Sequence, residues 1–168
     1  MNKITNIAFD DRYWLLALFS GFALLAVALM FQYGLDEQPC VMCIHVRLWI
    51  SLLIIVVVIR LLINRRPLFN SISHFIMTLI AIGLTERSYQ LLGTERGFLF
   101  GSCNFSLGFP DWLAFDQWLP SIYGVETSCG YTPKLIFDIT MAEALIVMSA
   151  LFLIISSSLF VMSLFKKK

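Results

Sequence analysis

Cys40 and Cys43 stand in the string Pro39-Cys40-Val41-Met42-Cys43-Ile44, and Arg47 follows the second cysteine by four residues. Two intervening residues let the sulfurs approach closely enough to form a small, exchangeable disulfide, the arrangement of a redox dithiol. If a helix begins at about Cys43, its unpaired N-terminal amides and macrodipole stabilise a thiolate there, lowering its pKa from the free value of about 8.5. Cys43 is then both a good leaving group and a good nucleophile. Arg47 lies one helical turn further along the same face, so its permanent cation reinforces that thiolate or holds another anion beside it. Two plainer readings compete. A CxxC is also half of a zinc site, and an arginine near the end of a membrane helix often only snorkels to the headgroups.

The elements that must position these groups are membrane spans. With 59% hydrophobic and 14% charged residues over 168 positions, and a mean hydropathy of +0.83, the chain is far more apolar than a soluble domain of its size. Residues 13–33 form an uncharged run long enough to cross about 30 Å of hydrocarbon. A cleaved signal peptide is the rival reading, but the run exceeds the usual ~7 to 15 apolar residues and no small-x-small site follows it. Residues 34–43 make a short loop that ends in the CxxC, and the second span covers 44–63. Arg47 and Arg60 each lie about one turn from its ends; Leu48 to Ile59 alone is too short to cross, so both arginines belong within or just below the interfaces. The third span covers 68–85 and is diluted by Asn70, Ser71, Ser73, His74 and Thr78, which must face other helices or the headgroups. A large extramembrane loop, 86–141, is rich in glycine and proline, and the fourth span, 142–165, runs into three lysines.

The net charge of +1 is uninformative as a sum, but the charges are sorted. Four spans place both termini on one side, together with Lys3, Arg12, Arg65, Arg66 and the terminal lysines, and the positive-inside rule makes that side cytoplasmic. All four cysteines then face the opposite compartment, which in a Gram-negative bacterium is the oxidising periplasm. Four cysteines allow three pairings, of which we take Cys40 with Cys43 and Cys103 with Cys129. A Cys103 to Cys129 bond closes a loop large enough for a chain-entropy stabilisation of about 3 to 4 kcal/mol, so a purely structural bridge is the competing explanation. A four-cysteine zinc site normally uses two close-spaced pairs, and Cys103 and Cys129 stand far apart. No acidic or histidine ligands line the spans, and His45 and His74 read as interfacial or packing residues. Within the long loop, 109–123 reads as a short amphipathic helix with Trp112, Phe115, Trp118, Leu119 and Ile122 at helical intervals. Pro110 suits its first turn, Pro120 ends or kinks it, and it serves either to pack the loop or to anchor it on the membrane. No nucleotide-binding glycine loop, serine-nucleophile constellation or nucleic-acid patch is present.

The string Pro39-Cys40-Val41-Met42-Cys43-Ile44 with Arg47, then Cys103-Asn104-Phe105, Phe109-Pro110-Asp111-Trp112-Leu113, and Cys129 before a fourth span closely resemble the DsbB family of disulfide-bond formation proteins over nearly the whole chain. The resemblance implies an all-α membrane protein, a four-transmembrane-helix bundle with a short horizontal amphipathic helix in the second periplasmic loop, in the bacterial inner membrane with both termini cytoplasmic. It implies oxidation of a DsbA-type periplasmic thioredoxin-fold oxidase, with electrons passed to membrane quinone, ubiquinone or menaquinone, and no metal. The partner's thiolate would attack Cys103, released Cys129 would attack Cys40, and Cys43 would become the thiolate facing the quinone, stabilised with it by Arg47. Many family members carry a histidine near the outer end of the third span; here that stretch reads Glu86-Arg87-Ser88-Tyr89-Gln90, which puts Arg87 and Ser88 forward as donors to a quinone carbonyl. Outside this class, the chief rival is a membrane protein whose loop disulfides are purely structural.

Overall fold

The computed structural model describes residues 10–63, 67–99, 107–108, 114–127, 132–133 and 139–165. Six helical elements follow one another: α1 (Asp11–Gly34), α2 (Val41–Leu62), α3 (Pro67–Glu95), α4 (Phe115–Trp118), α5 (Pro120–Tyr123) and α6 (Met141–Phe165). The four long ones, α1, α2, α3 and α6, are long and apolar enough to cross a membrane, and no strand occurs among the described residues. The expected four-helix membrane bundle is what the chain forms.

Each long helix starts or ends for a local chemical reason. Asp10 caps α1 by accepting from the Arg12 amide at 3.1 Å. Cys40 is the residue in the same position on α2, extended at φ −87°, ψ 167°, with its sulfur accepting from the Cys43 amide at 3.4 Å. Thr140 opens α6 with a reciprocal capping box: its hydroxyl accepts from the Glu143 amide, and its own amide donates to Glu143 Oε2.

The bundle core is a stripe on each helix. On α2, Val46, Ile50, Leu53 and Val57 recur at helical spacing and are buried. They meet Trp14 and Ala17 of α1, and Met77, Ile80 and Leu84 of α3. The close helix pairs are α1 with α2, α2 with α3, and α3 with α6. At Gly83 of α3 an added Cβ would lie 2.5 Å from Trp49 Cζ2, so α2 and α3 approach through bare backbone. Gly83→Val is therefore expected to force them apart at a cost of about 1 to 3 kcal/mol. A melt in detergent checks this, and an unchanged midpoint would mean that Trp49 simply rotates away.

The third helix runs on past the end of the apolar run expected to span. The loop was to begin at Glu86, yet α3 continues to Glu95. Its buried stripe carries on through Ser88 and Leu91, while Glu86 and Tyr89 stay outside. Charge at Glu86 and Arg87 ends the apolar run without ending the helix, because those side chains pair along the surface: Gln90 donates to Glu86 at 2.9 Å, and Arg87 donates to Gln90 at 3.1 Å. The polar residues that dilute this span do face inward. Asn70, Ser73 and His74 are buried, with Ser73 bonded back to the Phe69 carbonyl and the His74 ring packed against Trp14 at 4.8 Å between centres and a tilt of 41°.

The single amphipathic helix expected over 109–123 is not formed by the part of it that is described. Residues 114–123 make two one-turn helices, α4 and α5, broken at Leu119 with φ −136°, ψ 65°. Pro120 is the cause. It has no N–H to continue α4 and serves as the first residue of α5. Residues 109–113 lie outside the described residues.

Candidate functional site at the head of the second helix

Cys40 and Cys43 occupy the cap and third position of α2, and their sulfurs are 2.8 Å apart, within a thiol hydrogen bond. Cys40 is buried against Leu91 of α3 and Ala142 of α6, whereas Cys43 is half-buried. The extra turns of α3 thus wall in the first sulfur. The hydrogen bond with Cys43, then burial, then the charge on Cys43 push the Cys40 thiol up, well outweighing the two backbone N–H donors that oppose them. Of the two sulfurs, Cys40 is therefore the harder to ionise. Iodoacetamide at neutral pH is expected to label Cys43 at least about tenfold faster than Cys40, with Cys40 labelling only as the pH rises well above the ordinary thiol range. Peptide mass mapping of the reduced protein reads this out, and equal labelling would contradict the assignment.

Arg47 does not snorkel. It is 5% exposed, and its guanidinium is held at three points: Nη1 donates to Gln32 Oε1 at 2.6 Å and to the Ile122 carbonyl at 2.9 Å, and Nη2 donates to the Ala28 carbonyl at 3.1 Å. Arg60 at the other end of α2 is buried too, donating to Asn70 at 2.9 Å and lying 5.5 Å from the Trp14 ring centre.

Beside Cys43 and Arg47 opens a cavity of about 130 Å³. Its walls come from α1, α2 and α6, including Leu24, Phe31, Ile50 and Met148, and its lining is mainly apolar. Glu37 and Gln38 also reach it, from a loop turned by Asp36, whose φ of 58° lies in the left-handed region that Asp tolerates better than most residues. A second cavity, of about 270 Å³, adjoins it deeper in the bundle, sharing Leu24, Ile50, Leu145 and Met148.

The second loop sits directly on this site. Tyr123 and Leu107 pack on Val41 and Ile44, and the Tyr123 hydroxyl meets Ser51 Oγ at 2.7 Å. His45 Nε2 donates to the Leu107 carbonyl at 3.0 Å, which makes it a loop tether. Thr127 forms a parallel backbone bridge to Cys40, and the Glu126 amide donates to the Pro39 carbonyl at 3.1 Å.

The sequence-predicted site is therefore brought together in part. Cys40, Cys43 and Arg47 share one place. Cys103 and Cys129 lie outside the described residues, as does their pairing. Arg87 and Ser88 do not line the cavity, to which the described residues of α3 contribute nothing. Ser88 is instead turned into the bundle, its hydroxyl donated to the Leu84 carbonyl at 2.8 Å. Sequence reasoning missed Gln32, the direct partner of Arg47. The signal was available: an amide side chain inside an otherwise apolar span, near its outer end. Among the described residues, no group of three His, Cys, Asp or Glu side chains is placed to hold a metal.

Comparison with known proteins agrees with this geometry. A family model described as Disulfide bond formation protein DsbB matches residues 10–159. Disulfide bond formation protein B of Haemophilus influenzae is 32% identical over 169 aligned residues, which cover 92% of this chain and 88% of the relative. The protein of the same name from Shewanella frigidimarina is 28% identical and covers 85% of each chain. Disulfide bond formation protein B 2 of Pseudomonas aeruginosa is 29% identical over 72% of this chain and 73% of its own. The match runs from the cap of the first span into the fourth and takes in the dithiol, its arginine and the loop above them: the chain is a multi-pass membrane oxidoreductase of disulfide formation and belongs to the DsbB family of disulfide bond formation proteins.

Proposed function

We propose that the chain reoxidises a DsbA-type periplasmic dithiol oxidase and passes the electrons through two cysteine pairs to membrane quinone, in the bacterial inner membrane with both termini cytoplasmic. The observation that carries this reading is that Cys43 and Arg47 share the wall of an apolar cavity bounded by α1 and α6. The residues fit a quinone. An apolar slot whose polar lining is the Cys43 thiol, the fixed Arg47 cation, Glu37 and Gln38 suits a flat acceptor that gains negative charge beside the cation, and the adjoining cavity suits an isoprenoid tail. A quinone, when bound there, supplies the two-electron acceptor that allows the Cys40 to Cys43 pair to close again.

The rest of the relay is thiol exchange on this chain's own residues. The partner's thiolate attacks Cys103 and breaks the Cys103 to Cys129 bond; Cys129, released as a thiolate, attacks Cys40 and breaks the Cys40 to Cys43 bond, so that Cys43 leaves as a thiolate; the partner's second thiolate then displaces Cys103 and leaves oxidised, and Cys103 attacks Cys129, which re-forms their bond and frees Cys40. The Cys40 to Thr127 bridge supports the second exchange, since Cys129 follows Thr127 by two residues and two residues of chain span at most about 7 Å. Cys43 is suited to leave because it stands in the first turn of α2, where the helix dipole favours a thiolate, and because Cys40 is the harder of the two to ionise. Arg47 holds the cation at the cavity wall, and the apolar lining keeps water from it.

The test is turnover of the purified protein in detergent with a reduced DsbA-type partner and a soluble quinone, following quinone absorbance while free thiols are trapped. Loss of quinone absorbance matched by oxidation of the partner is the expected result. No reduction, with both disulfides intact throughout, would favour loop disulfides that only brace the protein.

A further inference from the structure

A buried arginine is ordinarily opposed by a carboxylate, because an opposite charge offsets the cost of taking the cation out of water. Arg47 is satisfied differently. Its three hydrogen-bond partners, the Gln32 amide oxygen and the carbonyls of Ala28 and Ile122, are all neutral. The carboxylate nearest along this network, Glu126, is held one residue away: Gln32 Nε2 donates to Glu126 Oε1 at 3.4 Å. Gln32 is itself 5% exposed, in the last turns of α1. Its two ends are thereby distinguished, with the oxygen towards the cation and the amino group towards the carboxylate. Three donors of Arg47 are used on neutral acceptors, and its charge is not cancelled.

We propose that Gln32 is a positioning residue that fixes Arg47 at the dithiol end of the cavity through a neutral acceptor, so that the full guanidinium charge remains available to the Cys43 thiolate. The proposal rests on the role of Arg47 given above. It makes the neutrality of residue 32 the property that matters. Glutamate has nearly the same shape and would accept the same hydrogen bond, more strongly, yet it would pair with the cation and withdraw its charge from the sulfur one turn away. Asparagine, shorter but neutral, would keep the charge available. A merely structural Gln32 would show the reverse order, since Gln32→Glu preserves the shape and the contact with Arg47 while Gln32→Asn shortens the reach.

The experiment uses the full-length protein with Cys40→Ser, Cys103→Ser and Cys129→Ser, which leaves Cys43 as the single thiol, in detergent without quinone. Serine at position 40 retains a capping side chain for α2. The alkylation rate of Cys43 by iodoacetamide is followed by mass across pH. Gln32→Glu is expected to slow alkylation at pH 7 by about tenfold, with the pH midpoint rising by about one, and Gln32→Asn is expected to stay within about twofold of the parent. Arg47→Met is run alongside. If it leaves the profile unchanged, the role of Arg47 itself is wrong; if it moves the midpoint up and Gln32→Glu does not, the proposal for Gln32 is overturned. Should Gln32→Glu fail to fold, Gln32→Asp read against Gln32→Asn decides, because the two are alike in size and differ in charge. The aspartate is expected to slow alkylation at pH 7 by about tenfold relative to the asparagine, and equal rates would overturn the proposal.

Discussion

Cys43→Ser is expected to abolish quinone reduction, by a factor of about 10³ or more, and to stop the relay at a defined species. A hydroxyl at position 43 can neither leave as a stable anion nor close a bond to Cys40. Cys40 is then a lone thiol with no bond for Cys129 to break, so exchange should stop after one partner per chain is oxidised, with Cys103 and Cys129 left as thiols. Counting trapped thiols by mass after mixing with reduced partner identifies that species. Cys103→Ala should fail one step earlier, with partner oxidation lost and the Cys40 to Cys43 bond left intact. The two variants together order the relay. Equal turnover by the Cys103 variant would sink the proposed route, and a Cys43 variant that still reduces quinone would remove Cys43 from its end.

Arg47→Met carries the second large effect. It is expected to slow quinone-dependent turnover by about 10² while leaving the Cys40 to Cys43 bond able to form with a chemical oxidant, because the chemistry of the sulfurs survives and only the fixed cation beside them is lost. The substitution also strands the Gln32, Ala28 and Ile122 oxygens, for which about 1 to 3 kcal/mol of stability is at stake. A melt separates this loss from the catalytic one. Arg47→Lys should fall between, since an ammonium keeps the charge but cannot span the three acceptors that the planar fork reaches. If turnover of Arg47→Met matches that of the unaltered protein once both are shown to be folded, the cation has no part in the electron-accepting step.

What could be read in advance divides along a physical line. The four spans and the turn that joins Cys43 to Arg47 are both local properties. Hydropathy sums over neighbouring side chains, and an i, i+4 relation needs only a helix. The length of α3 was not legible because charge at Glu86 marks where the lipid-like run ends, whereas a helix ends where its backbone bonds and buried stripe end, at Glu95. The break at Leu119 was half legible. Pro120 announces a kink, but whether the chain resumes as a second turn depends on Tyr123 finding Ser51 beneath it.

The sequence by itself determined a membrane dithiol with an arginine one turn inside the helix. Only the tertiary structure decided what that arginine faces. A buried cation takes whatever acceptors neighbouring elements offer, and those offered to Arg47 come from α1 and from a loop 75 residues away. The same holds for Ser88, whose sequence position suggested a pocket donor. The cavity lies among α1, α2 and α6, and so the outer end of α3 closes over Cys40 with Leu91 and leaves Ser88 bonded to its own helix.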